Sequence, residues 1–180
     1  MNKEKLVLDA PYLFQGDEFV SENDLVKTYV YEWSFGMLKD AALVHLQMQL
    51  NCLHFNTILT RASPFDMTYY RGKMQFHGHD LLIRDFDEYV PAIWICYYAQ
   101  FCQNFFFPLL LTHTKEVDFQ PYWRGTLKGI SIYDIIRLIG NDNLINMGLD
   151  SVLERVRRVD DPLANKVENL QIMQTELVDL

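Results

Sequence analysis

The chain has 180 residues, 49% of them apolar and 14% aromatic, and a formal charge of −8. That length allows one domain with its own core, and that apolar content excludes a disordered chain. The negative sign repels phosphate backbones, so nucleic-acid binding is not expected, whereas a basic protein partner is.

The first residues, MNKEKLVLDAPYLFQGDEF, hold an acidic interruption and no apolar run of seven. That is not the pattern of a secretory signal, so a cytoplasmic chain is expected. Cys52, Cys96 and Cys102 are odd in number and lack CxxC spacing. They read as free thiols of a reducing compartment rather than a disulfide framework or a zinc site. No repeat, low-complexity tract or Gly/Ser/Pro linker divides the chain, so residues 1–180 are read as a single globular domain.

Residues 5–14 read as extended or irregular, because Pro11 interrupts them. Ser21 then suits a helix N-cap with Glu22 and Asp24 in the first turn. The stretch 28–35 that follows favours a strand by its Thr, Tyr and Val content and a helix by its cap, with helix the preferred reading. Over 37–60, Met37, Ala41, Val44, Met48, Cys52, Phe55 and Leu59 recur at steps of three and four, which predicts an amphipathic helix ending before Pro64.

A small β-hairpin is expected near 67–86, with MTYYRGKMQF as the first strand, HGHD as the turn and LLIRDF as the return. From Tyr89 to Thr114 there is no Asp, Glu, Lys or Arg. The length suits a membrane span, but Gln100, Gln103 and Asn104 put a wet stripe on it and Pro108 limits the helix. The flanks are acidic besides, without the Lys/Arg cluster that sets orientation. It is therefore read as a core helix with Trp94, Tyr98, Phe101 and Phe105 on its buried face.

Ser131 with Asp134 predicts a helix start, and Gly140 a stop. Residues 143–158 read as one helix, acidic early and Arg-rich late, and Asp161-Pro162 opens a last amphipathic helix. The fold expected is mostly α, with five or six helices around an aromatic core and the small hairpin. If the Tyr-rich stretches at 28–35 and 68–76 paired, it would be α+β.

The local motifs that carry chemistry are few. His77 and His79 are two apart, a spacing that on a strand lets both rings meet one cation, with neighbouring carboxylates as further ligands. Gly78 and Asp80 mark the same stretch as an ordinary turn. No GxSxG surrounds a serine, and RGTLKGIS lacks the spacing of a phosphate-binding loop. No cofactor is expected.

Acid and aromatic side chains gather at Asp85, Asp87, Glu88, Glu116, Asp118, Tyr122 and Trp123. That is the composition of a surface that recognises a cationic protein. The expectation is a non-enzymatic binding protein, concretely a bacterial immunity protein or antitoxin that neutralises a basic toxin. The alternatives are an assembly subunit that associates through an apolar face, with itself or within a larger complex, and a metal-dependent enzyme using His77 and His79.

Overall fold

The computed structural model describes residues 27–54, 57–70, 72–76, 84–85 and 96–157. The expected elements at 5–14, 21–26 and 161–177 lie outside these residues.

Helix α1 spans Phe35–His54 and is buried nearly all round. Met48, Ala41 and Cys52 of the expected stripe are inside, but so are Leu38, Ala42, His45, Leu46, Gln49 and Leu50. The helix stops earlier than the spacing predicts. Beyond it Thr57–Ile58 form strand β1, and Leu59 is buried from a loop. A stripe at three-and-four spacing continues for as long as apolar residues do, so it marks a buried face without fixing where the helix ends.

The β structure is smaller and wired differently from the expectation. Strands β2 (Met67–Tyr70) and β3 (Lys73–Phe76) pair antiparallel, with Tyr70 opposite Lys73. The turn between them holds Gly72, inside the stretch read as one strand, and Gly72 takes φ 80° there. A tight hairpin needs positive φ, which glycine adopts without a Cβ penalty. Residues Arg84–Asp85, strand β4, pair with β1 rather than with the hairpin, Thr57 facing Asp85. HGHD lies outside the described residues.

Of residues 28–35, only Phe35 is in an α-helix, as the start of α1, and none is in a strand. Val30–Glu32 make one 3-10 turn. The 28–35 and 68–76 stretches do meet, but through threonine side chains: Thr28 N–H donates to Thr68 Oγ1 at 3.0 Å and Tyr69 N–H to Thr28 Oγ1 at 3.0 Å. The fold is mostly α with a small hairpin.

The described part of the uncharged stretch, from residue 96 on, lies in the core. Helix α2 runs through 96–115, with Tyr97, Tyr98, Phe101, Cys102, Phe105, Phe106, Phe107, Leu109, Leu110 and Leu111 all buried. Rings stack along it, Tyr97 to Phe101 at 6.3 Å and Phe101 to Phe105 at 5.2 Å. No helix among the described residues is long and apolar enough to cross a membrane.

Pro108 does not limit α2. It sits just past a π-helical turn, Cys102–Phe106, and the helix continues as Phe107–Lys115. Proline lacks an N–H and crowds the carbonyl four residues back, so the wider turn accommodates it. Phe107 N–H reaches back five residues to the Cys102 carbonyl. The Gln103 carbonyl is thereby released, and it accepts instead from Ile130 N–H at 2.9 Å.

After α2, a left-handed Glu116 (φ 54°) turns the chain into a 3-10 turn at Gln120–Trp123. Helix α3 (Ile132–Ile139) begins and ends as predicted: Ser131 Oγ accepts from Asp134 N–H at 3.1 Å, and Gly140 caps with φ 97°. The single helix expected over 143–158 is two, α4 (Asn141–Asn146) and α5 (Asp150–Arg157), because Gly148 at φ 75° breaks it.

Candidate functional site

The expected binding residues fall into three groups. Asp87 and Glu88, like His77 and His79, lie outside the described residues, and Asp85 stands in β4 opposite Thr57. Glu116 and Asp118 are exposed on the turn after α2, and Tyr122 is half-buried. Trp123 was read as a surface anchor but is buried, 2% exposed, with its ring edge-on to Phe65 at 5.6 Å. In this 3-10 turn Trp123 faces the core while Tyr122 stays partly exposed.

The 3-10 turn at Gln120–Trp123 packs against the one at Val30–Glu32. Gln120 Nε2 donates to the Trp33 carbonyl at 2.7 Å. Trp33 is itself fully buried, and its Nε1 donates to Thr28 Oγ1 at 3.0 Å. Glu32 closes the first turn by accepting from Tyr29 N–H at 3.1 Å. This framework holds Tyr29 and Tyr31 outward as a stacked pair, ring centres 5.3 Å apart and planes within 5°. They are 42% and 39% exposed. The Tyr31 hydroxyl is pushed above its ordinary range, by local desolvation first and then by the charges of Glu32 and Tyr29.

Sequence reasoning missed this pair. The signal was present in TYVYEW, where two tyrosines at i and i+2 flank a buried valine, but the competing helix and strand readings hid it.

The charge is distributed unevenly. Of the 24 acids only ten stand among the described residues, against eleven of the 16 bases. The acid excess therefore belongs to the residues outside them, and the tyrosine-bearing face has mixed charge: Glu32, Glu116 and Asp118 with Lys115 and Arg124 nearby in the chain.

A second polar grouping is internal. His45, on α1, is fully buried, ringed by Phe76, Tyr97, Phe101 and Phe105 at 5.4 to 6.4 Å. Its Nδ1 lies 3.0 Å from the Tyr97 hydroxyl. Burial holds the imidazole pKa down to about 3, so the ring is neutral. Burial raises the Tyr97 hydroxyl well above its usual value, helped by Cys52 and Cys102, and it raises the Cys102 thiol. Such thiols are unreactive. Cys96, unlike Cys52 and Cys102, is exposed. Among the described residues no three His, Cys, Asp or Glu side chains gather as a metal requires.

The RGTLKGIS loop spends its amides internally. Lys128 N–H donates to Thr126 Oγ1, Gly129 N–H to Asn104 Oδ1, and Ile130 N–H to the Gln103 carbonyl.

No family model matches the chain, and no solved structure matches it. Among curated proteins, it is similar to the Nodulation protein NoeA of Rhizobium meliloti (strain 1021), 35% identical over 130 residues. The match takes in 71% of this chain and spans only 26% of that longer protein.

Proposed function

We propose that this chain is a non-enzymatic protein-binding module whose binding face is the tyrosine-bearing surface at Val30–Glu32 and Gln120–Trp123. One observation carries the reading: Tyr29 and Tyr31 are stacked, exposed and mounted on a hydrogen-bonded framework. Rings held this way offer contact area without an ordering cost on binding, which is why tyrosine is enriched at interfaces. Glu116, Asp118 and Tyr122 flank that framework in the chain. A basic partner fits the net charge of −8, which would steer association. The concrete form is an immunity protein or antitoxin holding a basic toxin in the cytoplasm.

A second reading, an assembly subunit, is favoured by Leu127 and Tyr133, each 76% exposed, with Ile145 at 48%. Exposed apolar side chains mark an interaction surface where they gather into one patch.

The test is capture of partners from the source lysate by three chains: native, Tyr29→Ser/Tyr31→Ser, and Leu127→Ser/Tyr133→Ser. The expected result is a basic protein held by the native and third chains and lost by the second, with an on-rate that falls as salt rises. Loss by the third chain alone supports assembly through the apolar face. A partner held equally by all three overturns both readings.

A further inference from the structure

His45 and Gln49 stand one turn apart on α1, so their side chains leave the same face of the helix. Both residues are 0% exposed. Each has one satisfied end and one open end. His45 Nδ1 meets the Tyr97 hydroxyl at 3.0 Å, and Gln49 Oε1 accepts from Leu59 N–H at 2.8 Å. Among the described residues, His45 Nε2 and Gln49 Nε2 are buried with no hydrogen-bond partner. Leaving such atoms unsatisfied costs about 1–3 kcal/mol each, and native interiors seldom tolerate it.

The open ends are chemically compatible with one shared ligand. Gln49 Nε2 can only donate. His45 Nε2 accepts when Nδ1–H donates to the Tyr97 hydroxyl, and it donates when the hydroxyl donates to Nδ1. One molecule that accepts from Gln49 and either donates to or accepts from His45 satisfies both. The surrounding rings of Phe76, Phe101 and Phe105 leave this the polar spot of an aromatic core.

We propose that His45 Nε2 and Gln49 Nε2 together bind a single internal water molecule. It completes an unbroken hydrogen-bond chain from Tyr97 on α2, through His45 and Gln49 on α1, to the Leu59 backbone just past β1. Water is the ligand class because it is small enough for a packed interior and both accepts and donates. The chain ties three elements together across the middle of the core.

The test uses the full chain. In a crystal structure at a resolution that orders solvent, one density peak is expected within about 2.7–3.2 Å of both nitrogens. A peak near only one of them, or near neither, overturns the proposal. In solution, the Gln49 side-chain amide protons of the native chain should show a long-lived water cross-peak. That cross-peak should vanish in His45→Phe while the Leu59 amide keeps its bond to Gln49. A cross-peak undiminished in His45→Phe contradicts the shared site, and its absence from the native chain does so too.

Discussion

Helices α1 and α2 both carry polar side chains into the aromatic core, and they use them in opposite ways. On α2 the amides stitch neighbouring backbone to the helix. Asn104 Nδ2 donates to the Ala62 carbonyl at 2.7 Å, Asn104 Oδ1 accepts from Gly129 N–H at 3.1 Å, and Gln100 Oε1 accepts from Ala62 N–H at 3.0 Å. On α1, His45 and Gln49 each use one end on the protein and keep one nitrogen open. The α2 residues are structural fasteners whose bonds all go to main chain. The α1 residues point into the aromatic interior and keep those nitrogens there. An amide in an apolar run is thus no sign of solvent exposure; what matters is which backbone groups pass beside it.

The sharpest way to break the α2 side is at Gly129. A Cβ there would lie 2.0 Å from the Gln103 carbonyl oxygen. Gly129→Val should push residues 129–131 off the π-turn and cost about 3 kcal/mol or more in urea unfolding. A loss below about 1 kcal/mol would show that the close approach of these segments is not needed. Asn104→Ala comes next. It leaves the Ala62 carbonyl and Gly129 N–H without their partner, at an expected cost of about 2–3 kcal/mol.

The α1 side is tested by acid. His45 in the unfolded chain takes its proton near 6.5, and in the folded chain only near 3. Between those values the unfolded state binds more protons, so stability is full above about pH 6.5 and falls as pH drops, by about 1.4 kcal/mol per unit, levelling near pH 3. Comparing native with His45→Gln isolates this slope from the carboxylates: the native chain should be the more acid-sensitive. Parallel pH curves would mean the imidazole reaches solvent.

The smallest expected effect lies at the end of α2. Glu116 holds φ 54°, a left-handed conformation that costs a non-glycine residue about 1 kcal/mol. Glu116→Gly should raise stability by about that amount, and a loss would mean the Glu116 side chain makes a compensating contact.

Much of this fold was legible in the sequence. Cap chemistry is local, so Ser131, Asp134 and Gly140 bounded α3 correctly. The absence of charge over 89–114 marked the core helix because burial of that many rings has few other outlets. What failed depended on partners distant in the chain. Pro108 reads as a stop until the π-turn is seen, and Gln100 and Asn104 read as a wet stripe until residues 62 and 129 arrive beside them. Trp123 looked exposed because its neighbours were polar, whereas Phe65 covers it. The tyrosine pair was hidden for the same reason: its display depends on Trp33 and Gln120, 87 residues apart.

The central claim is that α2 is the buried spine of the molecule, shut off from bulk solvent, and that its polar residues are fasteners. Amide hydrogen exchange of the full chain in detergent-free buffer tests it most directly. The slowest amides should be those of Phe101–Phe105, Phe107 and Leu109–Leu111, joined by Ile130, whose N–H is held by the Gln103 carbonyl. Exchange of these amides as fast as that of the exposed 124–128 loop, or slow exchange that appears only with detergent, would contradict the account.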